Sequence, residues 1–401
     1  MNTLVVTEEY GKLTKGLFRV WSLVCQQRAH GGRDTETDLL LNREHWLNDS
    51  PPSSLDGVDR LHVFPLFMPQ TLAAYAAGLL GNNRVARVLR FASRNLLSLL
   101  FAPIFATWLV LLVKRRHISR LVCHHGGWPG GAFVRWALLV SPLAGISKSI
   151  LVIHSFPAPY SRLLLPLQRL EERAIGSCAD EIVTVSHAAA AALAQRNFGK
   201  PVKVIHNGME TNPVVQEAAP VDHARPLVGF LGALVPNKGA HILLDASLKL
   251  QAECRLVLAG PGDNAYTAQL RQHPANAMHD ISFVGELDDV GAFLATVDLL
   301  VVPSIRFEAF GIVILEAMQY SKPVICSDFG GMKEIVVDNE TGLVVPAGDA
   351  KALAAAVGKL LGDPALRKRM GDAGNARLKK YFSVERMAGE YAVLLDLART
   401  R

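Results

Sequence analysis

The sequence predicts an α/β protein of two domains, each a parallel β-sheet covered by helices. Two runs of alternating elements carry that reading, and a break between them divides it. In the first half, strands are expected at Thr3–Val6, Asp38–Asn42, Leu61–Pro65, Arg120–Cys123, Ser149–Ile153, Glu181–Val185 and Lys203–His206, with helix-like segments between. The alternation restarts at Leu227–Leu231, Arg255–Ala259, Ile281–Val284, Leu299–Val302, Pro323–Cys326 and Leu343–Val345, separated by helices such as Ala240–Gln251 and Ala350–Leu361. Series of this kind give parallel sheets with helices packed on them. The Pro/Ala-rich stretch Thr211–Pro220 lies between the two and reads as the hinge. Domains are therefore expected at 1–210 and 226–383, with a linker at 211–225 and an amphipathic helix in the closing segment 384–401.

At 401 residues, half of them apolar, the chain can fill two cores. Its five cysteines (Cys25, Cys123, Cys178, Cys254 and Cys326) are scattered and odd in number, with no C-x-x-C pair. That pattern favours free thiols in a reducing cytosol over disulfides or a zinc site. The opening Met1–Val6 reads as a strand and lacks the basic stretch of a signal peptide, so a cytoplasmic location is expected. The net charge of +6 is modest, and no aromatic-studded basic motif or zinc spacing accompanies it, which argues against nucleic acid as a partner.

Leu96–Val113 is eighteen residues without a charge, long enough to consider a membrane span. A span here would place Leu61–Pro65 and Arg120–Cys123, which must join one sheet, on opposite sides of a bilayer. Pro103 also weakens a straight helix through it. Two readings survive: buried helix, or a helical surface that dips into lipid. Arg84, Arg87, Arg90 and Arg94 recur at helical spacing before it, and Lys114, Arg115 and Arg116 follow. Cations beside an apolar helix suit an anionic membrane surface, at roughly 1 kcal/mol each.

The most informative stretch joins the run Leu299–Val302 to Arg306-Phe-Glu308-Ala-Phe-Gly311-Ile-Val-Ile-Leu-Glu316. Glu308 falls in a tight loop at the carboxyl end of a strand. A helix follows Gly311, with Ile312, Leu315 and Tyr320 expected against the sheet and Glu316 about one turn in. Amides around Phe310–Ile312 lack helical partners and favour an anion. Two carboxylates flanking an amide-lined anion site suit a sugar joined to a phosphate. The same residues also make an ordinary surface loop with two solvated glutamates, and spacing alone does not separate the readings.

Pro303-Ser304, Glu308-Ala-Phe-Gly311, Leu315-Glu316-Ala-Met318, Lys322-Pro-Val324, Gly330-Gly331, Glu334-Ile335, Thr341-Gly-Leu343, Pro346 and Gly348-Asp349 follow one another in an order that resembles the donor-binding signature of retaining family-4 glycosyltransferases (glycosyl transferases group 1). The resemblance extends upstream through Gly229–Gly239, Ala259–Gly262 and Val284–Leu287, and downstream to Tyr381-Phe-Ser383. It covers about 180 to 390 well and 1 to 150 in outline. It implies the GT-B fold, two Rossmann-like domains facing across a cleft, with the C-terminal helix crossing back to the first domain. It further implies transfer of a hexose-type sugar from a nucleotide-diphosphate sugar to a saccharide or lipid-linked acceptor in polysaccharide or glycolipid synthesis.

Carried over residue by residue, the resemblance makes Lys238 the lysine of the glycine-rich loop that neutralises the diphosphate. Glu316 would hold the ribose hydroxyls and Glu308 those of the transferred sugar, while Phe310, Gly311 and Ile312 would offer backbone amides. His154 matches the strand-end histidine beside the reacting carbon. Gly16, in the loop with Gly11, Lys12 and Lys15, is the candidate for backbone approach to the phosphate. Ser186 fits a helix cap and Asn207-Gly208 a turn. One position departs from the family: Ala233 stands where an arginine is common.

Retention by double displacement requires a carboxylate nucleophile, and Glu308 is already assigned to hydroxyls. Same-face attack is then expected, with the departing phosphate taking the acceptor's proton. The sequence has no Asp-x-Asp pair for a metal–nucleotide complex, so no cofactor and a metal-independent reaction are expected. A nicotinamide dehydrogenase would need G-x-G-x-x-G directly after a strand, and the turns here lack it. A nucleotide-sugar epimerase shares the architecture with a different motif set. A catalytically silent partner subunit at a membrane is the rival from another class, supported by Ala233 and the loose first loop.

Overall fold

A computed structural model describes residues 2–7, 36–42, 59–64, 101–129, 132–162, 164–211, 225–262 and 264–395. Gly16, the arginines 84–94, Cys25, most of the expected linker and the last six residues lie outside these segments. The chain divides into two compact units: Met1–Thr184 with Ala190–Ile205 and Met387–Arg401, and Val185–Ala189 with His206–Arg386.

The first unit carries seven strands: β1 (Asn2–Thr7), β2 (Thr37–Asn42), β3 (Arg60–Phe64), β4 (Ile118–His125), β5 (Lys148–Ile153), β6 (Glu181–Thr184) and β7 (Val202–Val204). They pair in the order β3-β2-β1-β4-β5-β6-β7, every pair parallel. The second unit has six: β8 (Leu227–Leu231), β9 (Arg255–Ala259), β10 (Asp280–Gly285), β11 (Leu299–Val302), β12 (Val324–Ser327) and β13 (Gly342–Val345). Their order is β10-β9-β8-β11-β12-β13, again all parallel. Each sheet is Rossmann-like, and each reverses its winding once, between β1 and β4 and between β8 and β11. Ligands of open α/β sheets sit at such switch points, beyond the carboxyl ends of the strands. Every expected strand is present. β4 runs two residues further than expected, to His125, and β7 stops at Val204, which frees His206 from the sheet.

In the first core, strand residues such as Leu4, Leu40, Leu121 and Leu151 meet helix 101–115 and helix Ala132–Ala144. Phe105, Leu109 and Val113 recur every four residues, so one face of helix 101–115 is buried. Phe105 packs edge-on to Phe64 at 5.1 Å and against Phe133 at 5.1 Å. The described part of Leu96–Val113 is thus core on one face. Ile104 and Leu111 on the same helix are more than half exposed. Among the described residues no helix is long and apolar enough to cross a membrane. Arg116, grouped above with the membrane-facing cations, instead ties the fold together. Its Nε donates to Asp38 Oδ2 at 2.9 Å, and its guanidinium also reaches Glu36. Asp38 is fully buried, and burial alone would raise its pKa. Hydrogen bonds from His62 and Arg116 outweigh that and hold the carboxyl below its usual range.

The second core packs Val228, Leu256, Leu258, Val301 and Ile325 against Leu243, Leu244 and Val357. Helix Ala240–Ser247 is shorter than the expected Ala240–Gln251, and helix Ala350–Gly362 is followed at once by Pro364–Tyr381. Asp349 and Asp363 cap those two helices by accepting from backbone amides of their first turns. The four described cysteines are free thiols; Cys123, Cys254 and Cys326 are buried, and burial pushes the Cys326 thiol up to about 12.

Candidate active site

In the second unit, the candidate residues gather where β8 and β11 end, at the switch point. After β8 the chain closes a 3₁₀ turn at Pro236–Lys238, and Gly239 follows with φ 74°. A Cβ on Gly239 would lie 2.0 Å from the Pro303 carbonyl oxygen, so the lysine loop and the β11 loop touch only through a glycine. Ile305 N donates to Asn237 O at 2.9 Å, a second link between the loops. This contact sets Lys238 against Glu308, with Nζ to Oε2 at 2.6 Å. Buried Ser304 donates to the same Oε2 at 3.3 Å. Glu308 is mostly covered, and Lys238 keeps about a third of its side chain in solvent.

Just before Glu308, exposed Phe307 holds φ 59°, a left-handed conformation that costs a bulky residue about 1–3 kcal/mol. Strain of this kind concentrates at binding loops. Helix Ile312–Gln319 then starts at Gly311, φ 101°, without a side-chain cap. Ile314 N already donates to Gly311 O at 2.9 Å, so the amides of Ile312 and Val313 are the ones ahead of the helical ladder, and the dipole favours an anion there. The buried face of this helix is Ile314, Leu315, Ala317 and Met318. The expected stripe of Ile312, Leu315 and Tyr320 was thus rotated: Ile312 and Tyr320 are only half-buried, Tyr320 being the C-cap residue. Glu316 is half-buried and close enough to Tyr320 for its charge to help raise the phenol, after burial and Asp289. At the neighbouring strand ends, Gly232 N donates to Ala259 O at 2.9 Å and Gly260 N to Gly285 O at 2.6 Å. The three turns therefore form one linked rim, with Ala233 on it.

In the first unit, His154 follows β5, with its amide donating to His125 O at 2.9 Å. Its Nε2 lies 2.9 Å from Nδ1 of His124, and the rings stack at 5.2 Å. Desolvation, then the His125 charge, lowers His154 to about 4, and burial holds His124 well below its ordinary value. Both imidazoles are neutral at pH 7, so His154 presents a hydrogen-bonding ring and no charge. Ending β4 at Cys123 in the sequence reading hid His124 and His125. The doublet His-His after an apolar run was the available signal. Ser186, which belongs to the second unit, caps helix His187–Leu193, accepting from Ala189 N at 3.1 Å.

Two Rossmann-like sheets, the second with a lysine–glutamate pair and an uncapped helix start at its switch point, define the GT-B class of glycosyltransferase folds. Solved structures agree on the fold. Sucrose-phosphate synthase from Thermosynechococcus elongatus superimposes with a TM-score of 0.73 at 20% identity, covering 99% of this chain and 98% of that one. Anabaena HepE, crystallised in complex with UDP, gives 0.71 at 18% identity over 99% and 100%. Residues 59–212 match the family model "Glycosyltransferase Family 4", and 214–377 match "Glycosyl transferases group 1". D-rhamnosyltransferase WbpZ of Pseudomonas aeruginosa is 32% identical over 275 residues, 66% of this chain and 70% of that protein. The phosphatidyl-myo-inositol mannosyltransferase of Mycobacterium leprae is 36% identical over 195 residues. That match takes in 46% of this chain and 50%, or half the length, of the mannosyltransferase. The chain belongs to glycosyltransferase family 4.

Proposed function

We propose that this chain is a retaining hexosyltransferase that takes its sugar from a nucleotide-diphosphate donor and acts in polysaccharide or glycolipid synthesis. The observation that carries the reading is the Lys238–Glu308 pair beside the Gly311 helix start. A diphosphate brings two things to such a place: charge for the lysine and oxygens for the helix-start amides of Ile312 and Val313. Glu308, relieved of part of its lysine bond, accepts from hydroxyls of the transferred sugar. Glu316 takes the ribose hydroxyls. Neutral His154 accepts or donates one hydrogen bond at the transferred sugar without placing a charge beside an electron-poor carbon. Same-face attack then needs no nucleophile from the chain: the departing phosphate oxygen removes the acceptor's proton, and Lys238 balances the charge left behind. The printed activities of the relatives, mannosyl and D-rhamnosyl transfer, support a hexose-type sugar. The UDP bound to HepE supports a nucleotide donor.

Transfer and donor hydrolysis measured over a panel of nucleotide-diphosphate sugars test the reading, with calorimetry on the preferred donor. Glu316→Ala is expected to weaken donor binding about ten- to a hundredfold, because a hydrogen bond to a charged group is worth about 1.5–3 kcal/mol. Unchanged affinity in a folded variant would remove the ribose assignment. A pure chain that neither binds nor turns over any donor would point instead to the silent partner subunit.

We further propose a lipid-linked acceptor reached from an anionic membrane face. The support is helix 101–115, whose outward face shows Ile104 and Leu111, beside a groove lined by Arg60, His62, Trp108 and Arg115. Co-sedimentation with anionic vesicles at low salt is expected, falling as the screening length shrinks to about 10 Å at 0.1 M. Substituting glutamine for Arg84, Arg87, Arg90 and Arg94 should weaken it while donor binding persists. Protein left in the supernatant at low salt would favour a soluble acceptor.

A further inference from the structure

His206, released by the early end of β7, turns its ring to Glu334, with Nε2 to Oε2 at 2.9 Å. The ring is held on several sides: stacked on Phe310 at 5.8 Å, edge-on to Phe382 at 5.7 Å and edge-on to His187 at 5.5 Å. Glu334 is fixed as firmly. Its two carboxylate oxygens accept from His187 N and Ala188 N, each at 2.9 Å, at the start of helix His187–Leu193. Arg377 secures the backbone beneath, donating to Glu334 O at 3.0 Å and Ile335 O at 2.7 Å. All three side chains belong to the second unit.

One ligand atom from each of His187, His206 and Glu334 lies within 4.8 Å of the other two. We propose that these three residues form a transition-metal site of the zinc class. Two imidazoles and one carboxylate are the donor set of an open tetrahedral zinc site, with metal–ligand distances of about 2.0–2.2 Å. Those distances put neighbouring ligand atoms roughly 3.3 Å apart at a tetrahedral angle. The His206–Glu334 edge is already close to that, so a metal can replace the proton between them with little movement. The edges to His187 lie within 4.8 Å, and His187 is the exposed member of the three. Solvent on the same side supplies the fourth ligand. Nitrogen and oxygen donors of this kind select zinc, cobalt or nickel over magnesium or calcium, which want oxygen shells. The site joins residues 147 apart in sequence and rests on no part of the donor-binding reading.

Untagged full-length protein, stripped with a chelator, is titrated with zinc against a chromophoric competitor and, separately, with cobalt(II). One equivalent of zinc is expected to bind, and cobalt(II) to show the intense visible bands of a four-coordinate site. His187→Gln removes an exposed ligand and leaves the Glu334–amide bonds intact, so the fold should persist by circular dichroism. It should weaken zinc about a hundredfold or more, since losing even a partner of a ligand costs about 10–100-fold. His206→Gln should do the same. An absence of stoichiometric zinc binding, or a zinc isotherm unchanged by His187→Gln, would overturn the proposal.

Discussion

Lys238→Ala is expected to lower turnover by about 10²–10³, equivalent to roughly 2.7–4 kcal/mol, the cost of removing one preorganised group aimed at developing charge. The expectation rests on how little freedom the lysine has. Its turn is closed by Gly239 against Pro303, Asn237 accepts from the β11 loop, and Nζ is anchored on Glu308 at 2.6 Å. A cation held in place before the diphosphate departs needs no reorganisation as charge develops. Calorimetry with two ligands separates charge from structure. The variant should lose affinity for the nucleoside diphosphate and keep it for the nucleoside, because an ammonium addresses phosphate. Equal losses would mean that Lys238 acts through the loop, and the diphosphate assignment would fall.

Glu172→Ala is expected to destabilise the first unit by about 3–5 kcal/mol, or roughly 6–20 °C in its melting temperature. Glu172 is buried in helix Leu165–Cys178 and serves several donors at once. Trp128 Nε1 donates to Oε1 at 3.0 Å, Arg196 Nε to Oε1 at 2.7 Å and Asn197 N to Oε2 at 2.9 Å, with the Tyr160 hydroxyl also on Oε2. Removing the carboxylate strands a buried guanidinium, which lies 3.6 Å over the Tyr160 ring, and three neutral donors. Burial by itself would raise the Glu172 pKa, but the bonds from Tyr160, Asn197 and Trp128 outweigh it and the value is lowered. A lowered carboxyl contributes stability above its unfolded value, near 4.5, and loses it as pH falls through the folded value. The gap between wild type and Glu172→Gln should therefore narrow on acidification below about 4.5. A melting curve unchanged by Glu172→Ala at pH 7 would show that the cluster contributes nothing net.

The strands were legible because parallel strands covered on both faces are short, nearly continuous apolar runs. Leu227–Leu231, Arg255–Ala259 and Leu299–Val302 appear in the structure with the expected bounds. Helix ends and faces were less so. Helix Ile312–Gln319 is apolar on nearly all sides, so periodicity could not say which stripe meets the sheet. The segment Leu96–Val113 was ambiguous for a related reason: apolar residues lie on both faces of helix 101–115, and only packing against Phe64 and Phe133 picks Phe105, Leu109 and Val113 as the buried ones.

By itself, the sequence determined the two β/α series, the break between them and the local chemistry of the β11 loop, because each depends on neighbouring residues. Strand order is different in kind. β8 lies beside β11 only through the winding of the whole sheet, and that adjacency brings Lys238 to a glutamate 70 residues away. His124 and His154, 30 apart, meet because β4 and β5 are parallel neighbours that end together. His206 reaches Glu334 across 128 residues for no reason that spacing could reveal. Side chains far apart in sequence become partners when sheet register fixes their backbones, and burial then removes the water that would otherwise compete for their hydrogen bonds.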